Sequence, residues 1–153
     1  MTKRPRKLRA AIVGAGLMGQ WHARELTRLG YTLAAVVDVS AKTADFLASH
    51  HNGTQVFTTL HDAFANDKFD VIHVCTPTTS HEELILQSLK GGACVLVEKP
   101  MAANLATTRK LLAEAASRNL KLLPVHQFLF QDGVVEAQKN LPRLKGVVHA
   151  DCL

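Results

Sequence analysis

The chain is poor in aromatic residues, with one Trp, one Tyr and six Phe among 153. A surface that binds nucleic acid needs aromatics and basic residues spread together over a folded face, and no segment here combines the two. Its three cysteines, Cys75, Cys94 and Cys152, stand far apart with no C-x-x-C pair. An odd, scattered set argues against a disulfide framework. Such cysteines act as small buried hydrophobes in a reducing compartment, which points to the cytoplasm. No run approaches the ~20 apolar residues that a membrane span needs. Metal-ligand spacing is missing too. His81-Glu82 begins an H-E-x-x-H pattern, but position 85 is Ile, so the second ligand is lacking. His50 and His51 are adjacent at a polar helix end and read as exposed. Repeats and low-complexity tracts are absent.

What is present is an ordinary globular composition, 47% hydrophobic, with a net charge of +5. Much of that charge lies in "MTKRPRKLR", which holds Lys3, Arg4, Arg6, Lys7 and Arg9. Residues 1–7 read as a solvated basic tail. The apolar run that follows mimics a secretory signal, but glycines at 14, 16 and 19 interrupt it and have another use. The length suits one domain, and a core of Val, Leu, Ile and Ala suits a buried parallel sheet.

Apolar runs and helical patterns alternate. Strands are expected at 8–13, 33–38, 55–57, 70–75, 93–98 and 121–125. Helices are expected at 17–29 (with Trp21, Leu26 and Leu29 among its apolar positions), 41–51, 60–66, 81–92 and 104–118. Alternation at this spacing means repeated βαβ units, hence an α/β fold with a doubly wound parallel sheet of the Rossmann type over residues 8–125. The texture changes at residue 126. A linker, a helix near 133–140 and an apolar run at 146–150 follow, and that run reads as the first strand of a truncated second domain. An orphan strand of this kind invites self-association through its edge.

Gly14-Ala15-Gly16-Leu17-Met18-Gly19 fits G-x-G-x-x-G, after an expected strand and at the start of an expected helix. In that placement Gly14 allows the tight turn, Gly16 lets a pyrophosphate approach the backbone, and Gly19 lets the helix pack close to the sheet. The helix N-terminus offers free N–H groups to the phosphates. An acid is required at the end of the second strand, about 20 residues on, and Asp38 is there. Its carboxylate suits the adenosine ribose and repels a 2′-phosphate, which favours NAD. Lys42, nearby in sequence, keeps NADP as the alternative. The other reading of Asp38 is a cap for the next helix.

Two further clusters sit where open α/β sheets bind ligands, beyond the carboxyl ends of strands. Thr76-Pro77 ends the fourth strand, and Ser80 is expected to cap the helix starting at His81. Glu98-Lys99-Pro100 ends the fifth. Lys99 either donates hydrogen bonds into the crevice or is a surface lysine paired with Glu98.

In order and spacing, Gly14-Ala15-Gly16-Leu17-Met18-Gly19, Asp38, Thr76-Pro77 with His81, and Glu98-Lys99-Pro100 resemble the Gfo/Idh/MocA family of oxidoreductases over about residues 8–128. The resemblance implies an N-terminal domain that binds NAD(P) and a C-terminal α+β domain for substrate. It also implies hydride transfer at a secondary alcohol of a sugar, polyol or similar small molecule. On this resemblance the cofactor-binding residues are Gly14, Gly16, Leu17, Met18, Gly19, Asp38, Thr76, Pro77, His81, Glu98 and Lys99, and Lys99 is also the catalytic candidate. The sequence departs from the family in two places. His126-Gln127-Phe128-Leu129 stands where members often read H-N-R-F. The D-x-x-x-H motif of the second domain, whose His is the family's acid/base, is absent. The expectation is therefore a chain that binds NAD(H) with little turnover of its own. A stand-alone, non-catalytic dinucleotide-binding module is the alternative.

Overall fold

The computed structural model describes residues 7–140. The basic tail, apart from Lys7, and the apolar run at 146–150 lie outside the described residues. Six strands form one parallel sheet: β1 (Arg9–Val13), β2 (Thr32–Val37), β3 (Gln55–Phe57), β4 (Val71–Val74), β5 (Cys94–Val97) and β6 (Leu122–Pro124). Their order is β3-β2-β1-β4-β5-β6, and every pair is parallel. The order reverses between β1 and β4, the switch point at which such sheets open a ligand crevice.

The connecting helices are α1 (Leu17–Arg28), α2 (Ala41–Ala48), α3 (Leu60–Asn66), α4 (His81–Lys90) and α5 (Leu105–Ser117), with α6 (Asp132–Asn140) following β6. Two cores result, one on each face of the sheet. Ala10, Ile12, Ala23, Leu26, Val36 and Leu47 pack together beneath α1 and α2. Ile72, Val74, Ile85, Val95, Val97 and Leu111 pack beneath α3, α4 and α5. Alternation along each strand produces this split, because successive side chains point to opposite faces.

Not all the apolar positions of α1 face the sheet. Trp21 and Leu29 are 55% and 60% exposed, whereas Gly19, Ala23 and Leu26 are buried. The face turned to the sheet is the one carrying small residues, at helical spacing from Gly19. Trp21 lies about 200° around the helix from Gly19 and points away.

Helices α1 and α2 cover the β1–β3 half of their face. On the other half, His73, Leu96 and Leu123 form one cross-strand row. Leu96 is half-buried and Leu123 is exposed.

Candidate functional site

The three glycines of the loop after β1 have different surroundings. Gly14 has φ +95°, a left-handed value that side chains disfavour. A Cβ there would lie 2.7 Å from the Cys75 carbonyl oxygen. A Cβ on Gly19 would lie 2.0 Å from the Gly14 carbonyl oxygen. These two glycines let backbone meet backbone. Gly16 is the opposite case: φ is −68°, and nothing stands within 4 Å of a Cβ built on it. It opens α1 with no side-chain cap. The first-turn N–H groups of a helix have no partner within the helix. Here they adjoin open space, at the positive end of the helix dipole.

Asp38 follows β2 and is tied to the same loop. Its Oδ2 accepts the Ala15 N–H at 2.8 Å, and its Oδ1 accepts the Ser40 N–H at 2.9 Å. The cap of α2 is Ser40, whose side chain accepts the Thr43 N–H. The helix-cap reading of Asp38 is therefore set aside. A carboxylate offers about four acceptor positions, so two remain for further donors. Lys42 is exposed in the first turn of α2.

At the end of β4, Thr76 is half-buried and Pro77 exposed. Ser80 does not cap α4 through its side chain. Its hydroxyl lies 2.8 Å from both Thr76 Oγ1 and the Pro77 carbonyl, fastening the turn to itself. His81 is 1% exposed. Its Nδ1 lies 2.9 Å from the Pro100 carbonyl and its Nε2 2.8 Å from the Thr76 carbonyl. Both partners are acceptors, one on each side of the ring. The residue expected to line the groove is thus enclosed beneath it, stapling the end of β4 to the Lys99–Pro100 turn. That peptide bond is cis, and Lys99 itself is exposed. Glu98 is 7% exposed. Its carboxylate accepts from the Lys99 backbone N–H at 3.3 Å and from a histidine on α1, rather than serving as a surface partner for the Lys99 side chain.

That histidine is His22, and it belongs to a buried polar cluster that motif reasoning overlooks. His22 Nε2 lies 3.2 Å from Glu98 Oε1, and His22 Nδ1 lies 3.0 Å from His73 Nδ1 on β4. The rings meet edge to face. Burial pushes the His73 imidazole down to about 3, reinforced by His22. Burial also lowers His22, although the Glu98 carboxylate pulls the other way. Cys75 beside them is pushed up to about 12 by burial and by Glu98, so it remains a thiol at neutral pH. One signal in the sequence pointed here: a histidine inside the apolar run "VIHV" must find a buried partner.

A pH dependence follows. Folded His73 titrates far below its unfolded value, so between about pH 6.5 and 3 the unfolded chain binds the extra proton. Stability therefore falls as pH falls. From pH 7 to 5 this one group accounts for about 2 kcal/mol. Urea unfolding at the two pH values checks this, and a loss of equal size in His73→Leu would remove His73 as its source.

Parallel order 3-2-1-4-5-6, glycines that bring α1 onto β1, open N–H groups at the helix start and a carboxylate bonded to the loop define a dinucleotide-binding Rossmann domain. The sequence model of an oxidoreductase family with an NAD-binding Rossmann fold matches residues 8–126, and the chain belongs to that Gfo/Idh/MocA family. It is 32% identical over 120 residues to an inositol 2-dehydrogenase of Rhodococcus jostii, covering 77% of this chain and 33% of that protein. It is 29% identical over 114 residues to an NADP+-dependent scyllo-inositol 2-dehydrogenase of Bacillus subtilis, covering 74% of this chain and 35% of that protein. Among solved structures, GenD2 from gentamicin A biosynthesis, in complex with NAD, superposes with a TM-score of 0.84 at 34% identity. That match covers 90% of this chain and 40% of GenD2. The chain spans about a third of the length of the curated relatives it matches. Among the described residues no helix is long and apolar enough to cross a membrane, and no group of three or more His, Cys, Asp or Glu is placed to hold a metal ion.

Proposed function

We propose that this chain is the cofactor-binding part of an NAD(P)-dependent oxidoreductase acting at a secondary alcohol of a sugar, polyol or similar small molecule. The observation that carries the reading is the cradle at Gly16, open where a side chain would stand and joined to Asp38 through the Ala15 N–H. The residues present fit a dinucleotide. Gly14 and Gly19 brace the loop, and the first-turn N–H groups at Leu17 and Met18 are the phosphate donors. The acceptor positions left on Asp38 take the ribose hydroxyls. The bound nicotinamide supplies the site at which a hydride is accepted or released.

The chain's own residues build the rest of the crevice. Thr76 and Pro77 form one wall and Glu98 the base of another. Lys99, exposed at the strand end, is the catalytic residue and donates a hydrogen bond to the substrate oxygen. His81 acts from beneath as a positioning residue, holding the Thr76 and Pro100 carbonyls in place. An anionic Asp38 disfavours a 2′-phosphate, so NAD is the preferred cofactor.

Titration with NADH and NADPH, following cofactor fluorescence, tests both points. Wild type binds NADH more tightly. Asp38→Ala weakens NADH about tenfold, about 1.4 kcal/mol. Because Asp38 also holds the Ala15 N–H, part of this loss falls on both cofactors, so the diagnostic quantity is the NADH-to-NADPH ratio, which narrows. An unchanged ratio removes the ribose assignment.

A further inference from the structure

The proposed chemistry leaves His22 and His73 without a task, although His73 is buried and His22 half-buried beside the residues it uses. Their bonds can be given directions. Glu98 Oε1 is an acceptor, so His22 Nε2 carries the proton of that bond. Burial keeps both rings neutral at physiological pH. A neutral His22 protonated at Nε2 has a bare Nδ1, which must accept. His73 Nδ1 therefore donates across the 3.0 Å contact. The chain of donors runs from His73 on β4, through His22 on α1, to Glu98 after β5. The second Glu98 oxygen then receives the Lys99 N–H.

We propose that His22 and His73 are positioning residues: a one-directional hydrogen-bond chain, His73 to His22 to Glu98, that holds the Glu98 carboxylate against the Lys99 backbone and so fixes where the Lys99 side chain leaves the sheet. This rests on the reading of Lys99 and Glu98 as the nicotinamide end of the site. The three residues come from three separate elements, so the chain sets the height of α1 relative to the ends of β4 and β5. Buried donors and acceptors of this kind are costly when left unmatched, and no buried side-chain polar atom among the described residues lacks a partner. A purely apolar contact would hold α1 equally close, but it would not orient a carboxylate.

Two measurements on the full chain test the proposal. The first uses 15N-labelled histidine and NMR on wild type. The expected signature is His22 protonated at Nε2 alone and His73 at Nδ1 alone; His73 protonated at Nε2 alone overturns the direction of the chain. The second compares NADH with ADP-ribose, which shares the pyrophosphate and adenosine but has no nicotinamide. In His22→Leu, NADH affinity falls about tenfold and ADP-ribose affinity does not change. In His22→Gln, whose amide can still donate to Glu98, most of the NADH affinity returns. Equal losses for both ligands, or no loss for either, overturn the positioning role. Failure of wild type to bind either ligand instead defeats the dinucleotide reading itself. The NMR measurement needs no variant, so it tests the direction of the chain even if His22→Leu fails to fold, and the comparison of NADH with ADP-ribose in His22→Gln then tests the positioning role.

Discussion

Gly19→Val lowers the unfolding free energy by about 3 kcal/mol or more, a large share of the stability of an ordinary domain. A Cβ at this position would stand 2.0 Å from the Gly14 carbonyl oxygen and 3.3 Å from Ile12 Cγ2. The first obstacle is backbone and cannot swing aside. Relief requires α1 to lift from β1, which opens the packing of Ala23 and Leu26 against Ile12 and Val36. Gly14, with its left-handed φ and its own contact with the Cys75 carbonyl, cannot move to make room. The check is the urea midpoint. A variant within about 1 kcal/mol of wild type would mean that α1 slides freely and that the close approach is incidental.

Gly16→Val, three residues earlier in the same motif, gives the reverse result. The backbone at Gly16 has φ −68°, open to any residue, and a side chain there meets nothing within 4 Å. Stability stays within about 1 kcal/mol, the remaining cost coming from a poorer residue at the helix start. Cofactor affinity falls about a hundredfold. The branched side chain occupies the space over the first-turn N–H groups, and each charge-assisted hydrogen bond lost there is worth about 1.5–3 kcal/mol. Titration with NADH alongside urea unfolding reads both quantities. Retained affinity would mean that the phosphates lie elsewhere. Loss of folding would mean that the open space at Gly16 is misjudged.

The contrast between these two glycines bears on what the sequence could disclose. Spacing located all three glycines, and the tight turn expected at Gly14 and the close approach expected at Gly19 are present in the structure, because those reasons are steric and local. Strand and helix order was equally legible, since short continuous apolar runs, as expected of strands buried on both faces, give way to helical patterns at each junction. The misreadings share a different cause. Trp21 was counted among the apolar positions of α1, but the side turned to the sheet takes small residues for close approach. Ser80 looked like a cap by composition, yet its hydroxyl found the Pro77 carbonyl and Thr76 first. His81 was placed at the cofactor by the family resemblance, whereas here it is 1% exposed and lies between two carbonyls from separate segments. The His22–His73–Glu98 cluster joins residues 51 and 76 positions from His22. No local spacing rule spans such separations, and only the stacking of α1 over the β4–β5 ends brings them together.

The tie between Asp38 and the Ala15 N–H also bears on redesign. Because an acid at the end of the second strand selects against a 2′-phosphate, exchanging NAD for NADP preference invites a change at that acid alone. In this chain the carboxylate proposed for the ribose also anchors the glycine loop and the Ser40 turn. A neutral residue at position 38 that welcomes a 2′-phosphate would leave two backbone donors to be satisfied. A productive swap therefore has to bring its own acceptor, so reprogramming the cofactor here is at least a coordinated, two-part alteration.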